Sequence, residues 1–221
     1  MDALLTGTGG ADGWPQPGCL CASCRRAIAA GLRRKPAGVL VDGIVEFRPG
    51  RPPRNVAGSS CVTAVHVEAV SGGWDVTGAD GGRMLIAAGP GEVPQPQPGA
   101  RPYDVALLDL LASPSQLGWL RKLGLVHSRT AVAALYTDHR VTSPAELARR
   151  CELWRAGRGQ DGQRITGPVS PGQAESTADR GAGRTHRTLI IGGARSGKST
   201  EAELRLAGEP EVRFVAAGPW R

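Results

Sequence analysis

Two stretches of this 221-residue chain hold residues whose types and spacing could do chemistry. The first, GCLCASC, sets Cys19, Cys21 and Cys24 in a C-x-C-x-x-C pattern. Three thiolates on a Pro/Gly-rich loop can wrap one tetrahedral zinc ion, which then needs a fourth ligand. The histidines available are His66, His127, His139 and His186, and His139, at the end of the run ALYTDH, is the expected partner. An exposed histidine at a strand end is the competing reading of that residue. Free cysteines are ordinarily buried as small apolar side chains. PQPGCLCASCRR has no apolar periodicity to bury them and no export signal to suggest disulfides, so a structural metal is the expectation.

The second stretch, GGARSGKS, matches G-x-x-x-x-G-K-[ST] at every fixed position. Gly192, Gly193, Ala194, Arg195, Ser196 and Gly197 would turn backbone N–H groups inward around phosphate oxygens. Lys198 would set its ammonium against the β and γ phosphates as the catalytic cation, and Ser199 would ligate Mg²⁺, with Thr200 completing the loop. The positive end of the following helix adds to the anion field. ATP or GTP with Mg²⁺ is therefore the expected cofactor set. Context strengthens the match: RTLIIG reads as a buried strand before the loop, STEAELRLAG as a helix ended by Gly208, and EVRFVAAG as a second strand.

The elements that must position these residues are legible as pattern. Apolar runs separated by Gly and Asp breaks predict strands at ALLTG, GVLVDGIVEF, TAVHVEAV, GWDVTG, RMLIAAG, YDVALLDLL and AVAALYT. SPSQLGWLRKLGL and SPAELARRCELWRA each open on a Ser able to cap a helix, with Pro at the first helical position. The fold class is α/β and layered. Asp109, in VALLDLL, reads as core structure. Between 157 and 186 the only bulky aliphatic residues are Ile165 and Val169, which predicts a flexible linker. The expected organisation is a domain at 1–156, a linker at 157–186 and a nucleotide-binding segment at 187–221.

The net charge of +7 is nearly all arginine, since Lys35, Lys122 and Lys198 are the only lysines. These arginines are scattered and no helix-turn-helix or stacking motif accompanies them, so a nucleic-acid partner is not expected. No long apolar run or secretion signal is present, so neither a membrane partner nor export is expected and the location expected is cytoplasmic.

LLTGTGGADGWPQPGCLCASCRRA resembles the opening of metallo-β-lactamase-fold proteins in which C-x-C-x-x-C holds a structural zinc with a late histidine. Hydrolytic members carry H-x-H-x-D-H, because a dinuclear centre needs several converging ligands. Here no two histidines are one residue apart, so the resemblance implies a degenerate, non-hydrolytic domain. GGARSGKS with Ala202 and Glu203 close behind resembles adenosylcobinamide kinase/adenosylcobinamide-phosphate guanylyltransferase. That resemblance implies phosphorylation of a cobinamide hydroxyl and GMP transfer through a histidine, with cobinamide and nucleotide as partners. Neither a strand-borne acid nor that histidine follows the loop up to Arg221. An incomplete P-loop βαβ unit is expected, binding nucleotide weakly or not at all by itself. The second reading is a zinc-stabilised, non-catalytic binding domain with a vestigial loop.

Overall fold

The computed structural model describes residues 1–56, 65–87, 94–95, 99–167 and 187–215. Two sheets are built from the alternating apolar runs. The first contains β1 (Asp2–Gly7), β2 (Gly38–Val41), β3 (Val45–Phe47), β4 (Arg54–Asn55) and β11 (Arg164–Thr166), all antiparallel in the order β11-β1-β2-β3-β4. GVLVDGIVEF is a hairpin: Asp42 and Gly43 take positive φ, and the Ile44 N–H donates to the Val41 carbonyl. The second sheet contains β5 (Val65–Val70), β6 (Gly73–Gly78), β7 (Arg83–Ala87), β8 (Val105–Leu108), β9 (Ala131–Ala134) and β10 (Gly157–Arg158) in the order β10-β9-β8-β7-β6-β5. Its first three strands form an antiparallel meander, and β7 through β10 run parallel.

Period-two alternation divides the side chains of the second sheet between two cores. Val76, Met84, Ile86, Val105 and Leu107 meet Ala3, Leu5, Val39, Val41 and Phe47 of the first sheet. Leu85, Ala106, Leu108 and Ala134 point the other way, onto α2 (Ser115–Lys122) and α3 (Pro144–Leu153). Burial on both faces is why VALL has no polar alternation. The molecule is thus mixed α/β, with a sheet-on-sheet core and helices on the outer face of the second sheet.

Three sequence expectations change. Residues 157–167 are not linker: β10 pairs with β9, and β11 pairs with β1 through Asp2↔Thr166 and Ala3↔Ile165. These strands are short and, apart from the buried Ile165, lack apolar side chains, and they are held largely by backbone hydrogen bonds, such as Leu5 N–H to the Gln163 carbonyl, which side-chain composition does not report. Residues 168–186 lie outside the described set. At α2 the cap is Pro114 with no side-chain cap bond, one residue after the expected Ser113, whereas Ser143 caps α3 and accepts from the Glu146 N–H at 3.2 Å as expected. Finally, α1 (Ala22–Ala29) begins inside the cysteine motif, where only a loop is expected. Because β11 closes the edge of β1, a chain ending at residue 156 is expected to lose cooperative thermal unfolding, and one ending at 167 to keep it. Circular dichroism melts of the two distinguish a structural β10–β11 from a dispensable tail.

Candidate metal centre and phosphate loop

The cysteines are gathered by a tight return of the chain after β1. Gly13, at φ +87, lets the chain turn where a Cβ would lie 2.7 Å from the Arg34 carbonyl. Trp14 and Arg34 then exchange backbone hydrogen bonds of 3.0 and 2.7 Å. Cys21 is the N-cap of α1, its sulfur accepting from the Cys24 N–H at 3.4 Å, so the helix start brings Cys21 and Cys24 together. His139 arrives from the loop after β9, five residues beyond the strand end. That loop is pinned to the N-terminal turn by the Gly9↔Thr137 bridge, the Thr137 N–H donating to the Thr8 carbonyl at 2.9 Å. On the far side of His139, the buried Ser23 hydroxyl donates to the Val141 carbonyl at 2.6 Å and accepts from the Trp14 indole at 3.2 Å.

The result places one ligand atom each from Cys19, Cys21, Cys24 and His139 within 4.8 Å of one another, with Cys19 Sγ 3.7 Å from His139 Nδ1. Three sulfurs and one imidazole nitrogen match a closed tetrahedral zinc set. The Cys24 N–H holds the Cys21 thiol below its ordinary range, whereas burial pushes Cys24 up to about 11. His66 lies exposed on β5, and His127 Nδ1 accepts from the Arg129 N–H, so neither joins the cluster; His186 lies outside the described residues. Asp109 is buried at the end of β8, as its reading as core structure requires, and pairs with Arg140 at 3.1 Å. Burial raises its carboxyl.

The phosphate loop keeps its helix but not its strands. Helix α4 (Lys198–Leu206) starts at Gly197, whose φ of 82 is a left-handed conformation natural to glycine. Lys198 Nζ folds across the loop and donates to the Gly193 carbonyl at 2.6 Å. Residues 188–192 and 211–215, both read from the sequence as strands, form none, and Leu189, Ile191, Phe214 and Val215 are exposed. A parallel strand is stable only beside other strands, and these runs meet no strand among the described residues. Among the described residues no acidic partner meets Lys198 either.

Helix α4 instead docks on the outer helices, a contact with no signature in the sequence. Arg149 of α3 pairs with Glu201 at 2.7 Å and with its own Glu146 at 2.9 Å. The buried Trp154 indole donates to the Leu204 carbonyl at 2.9 Å. Arg121, lowered by burial, donates to the Gly208 and Trp154 carbonyls. Gly118 on α2 is where a Cβ would sit 2.5 Å from the Glu209 carbonyl, so the chain after α4 lies directly on the helix. Neither a protein-family model nor a curated protein sequence matches the chain. Among the described residues no helix is long and apolar enough to cross a membrane.

The hydrogen bond from Arg149, with the Arg150 pair, holds Glu146 down to about 2. A depressed carboxyl contributes stability above its ordinary value, and the contribution is lost as pH falls through the folded value. Glu146→Gln is therefore expected to lower the melting temperature at pH 7, with the deficit shrinking as pH falls from about 4.5 toward 2. In a double-mutant cycle, Arg149→Ala and Glu201→Ala should couple by about 0.2–1 kcal/mol, the range of partly exposed pairs. Additive melts, with no coupling, would mean that α4 is not held there.

Proposed function

We propose that the chain is part of a Mg²⁺-nucleotide-dependent transferase, in which a zinc-held domain of degenerate metallo-β-lactamase type precedes a P-loop segment of the adenosylcobinamide kinase/guanylyltransferase kind. The observation that carries the reading is the unbroken GGARSGKS loop opening α4 through a left-handed Gly197, with Lys198 already folded over the loop. In that reading the reaction is attack of a substrate hydroxyl on the γ-phosphorus of ATP or GTP, with the nucleoside diphosphate leaving and the hydroxyl proton released. The backbone N–H groups of residues 192–197 cradle the phosphates and the helix end favours their charge. Lys198 exchanges the Gly193 carbonyl for phosphate oxygens and stabilises the charge that develops in transfer. Mg²⁺ held by Ser199 would supply charge neutralisation on those oxygens. Phosphorus NMR is expected to show Mg²⁺-dependent broadening of the GTP β and γ resonances by the native chain at millimolar concentration, abolished by Lys198→Ala. Broadening absent from the native chain, or indifferent to the lysine, would sink this reading.

The Cys19, Cys21, Cys24 and His139 cluster favours a second reading, a zinc-stabilised binding domain that does no chemistry of its own. Zinc there would tie the turn before α1 to the loop after β9, and its contribution would be folding energy. Elemental analysis is expected to find one zinc per chain, and cobalt substitution to give thiolate charge-transfer bands. Cys21→Ala and His139→Ala should each lose the metal and lower the melting temperature. A metal-free chain whose stability is unmoved by Cys21→Ala would overturn the zinc assignment. Retention of that metal alongside loss of the Lys198-dependent broadening would separate the scaffold reading from the transferase.

A further inference from the structure

A cavity of about 270 Å³ opens beside the N-terminal end of α3, away from the helix's contact with α4. Its walls carry three guanidinium groups, Arg33, Arg34 and Arg158, against one carboxylate, Asp161, with Trp14 and Pro144 supplying apolar surface. The carboxylate is already committed inward. Its Oδ1 accepts from the Thr8 N–H at 2.8 Å and the Thr8 hydroxyl at 2.7 Å, and its Oδ2 accepts from the Lys35 N–H at 2.7 Å. Arg34 is held in place through Nη1 alone, which donates to Thr8 Oγ1 at 2.8 Å and to the Gly159 carbonyl at 2.7 Å. Its Nε and Nη2, and the whole guanidinium groups of Arg33 and Arg158, have no hydrogen-bond partner among the described residues.

Three guanidinium groups around a concave surface with a single carboxylate leave a costly excess of positive charge, and Arg34 is lowered by burial, with Asp161 opposing that and the neighbouring Arg158 charge adding to it. Ordinary surface arginines relieve that cost by spreading into solvent; Arg34 is fixed by two bonds and cannot. Three arginines therefore line one cavity with fork donors to spare, the donor type that suits tetrahedral oxyanions. We infer that this cavity is a binding site for a phosphate monoester, its phosphoryl oxygens taken by Arg33, Arg34 and Arg158 and its organic part set against Trp14 and Pro144. The site stands apart from the phosphate loop in sequence and does not depend on the transferase reading.

The test is calorimetric titration of inorganic phosphate into the full 221-residue chain, with acetate as the second ligand. Native protein is expected to bind phosphate with accompanying thermal stabilisation, and Arg158→Gln and Arg33→Gln to weaken it about tenfold or more each. Both side chains are exposed and make no hydrogen bond among the described residues, and the backbone pairing of Arg158 with β9 survives the change, so the variants should melt as native without ligand. Lys198→Ala should leave the binding unchanged, which separates this cavity from the phosphate loop. Absence of heat in the native chain, binding as tight as native in both arginine variants, or loss only in Lys198→Ala would each overturn the site. Equal affinity for acetate would overturn the phosphate assignment.

Discussion

Thr8 is the residue on which the arrangement of this molecule depends. It is fully buried immediately after β1, where an unmet polar group would be costly. Every polar group it has is used: the carbonyl accepts from Thr137, the N–H and hydroxyl donate to Asp161, and the hydroxyl accepts from Arg34. Those four bonds join the end of the first strand to the loop after β9, to the turn between β10 and β11, and to the segment leading into β2. Trp14 packs against the cysteines of the metal cluster and also lines the cationic cavity, so the two features are neighbours. A valine here would keep much of the shape and the backbone bond to Asp161 but lose the hydroxyl that links Asp161 to Arg34.

Helix α3 carries that junction outward. Ser143 caps it two residues after Val141, whose carbonyl is held by Ser23 next to Cys24. Its far end offers Arg149 and Trp154 to α4, the helix that opens at Lys198. Side chains and carbonyls, rather than a continuous apolar surface, make that second contact, which is why α4 has no buried residue of its own. Such an interface is polar and modest in energy. Leu206 remains substantially exposed on α4, alongside the exposed Leu189, Ile191 and Phe214.

The strands and the two later helices were legible because their signals are local. Apolar runs such as TAVHVEAV and RMLIAAG bounded by Gly and Asp breaks, and the Ser-Pro start of α3, act over a few residues. The phosphate loop was legible as a motif, and its helix formed where the motif puts it; the flanking strands did not, because strand formation needs a neighbour that local pattern cannot supply. Strands β10 and β11 were missed for the complementary reason. Apart from the buried Ile165 they offer no apolar side chain, and what holds them is the open edges of β9 and β1. The start of α1 was hidden because Cys21 caps it, a role sequence rules assign to Ser, Thr, Asp or Asn.

By itself the sequence determined which side chains could do chemistry: three cysteines at metal spacing, a lysine and serine after a glycine-rich loop, and a choice among four histidines. Tertiary structure decided which of these meet. His139 joined the cysteines because a backbone bridge between Gly9 and Thr137 draws together loops more than a hundred residues apart. Arg33, Arg34 and Arg158 read as scattered charge along the chain, yet the packing of β10 beside β9 sets them around one cavity. Spacing along a chain records local geometry, whereas convergence of distant loops is set by sheet pairing and buried hydrogen bonds, whose energies no single stretch contains.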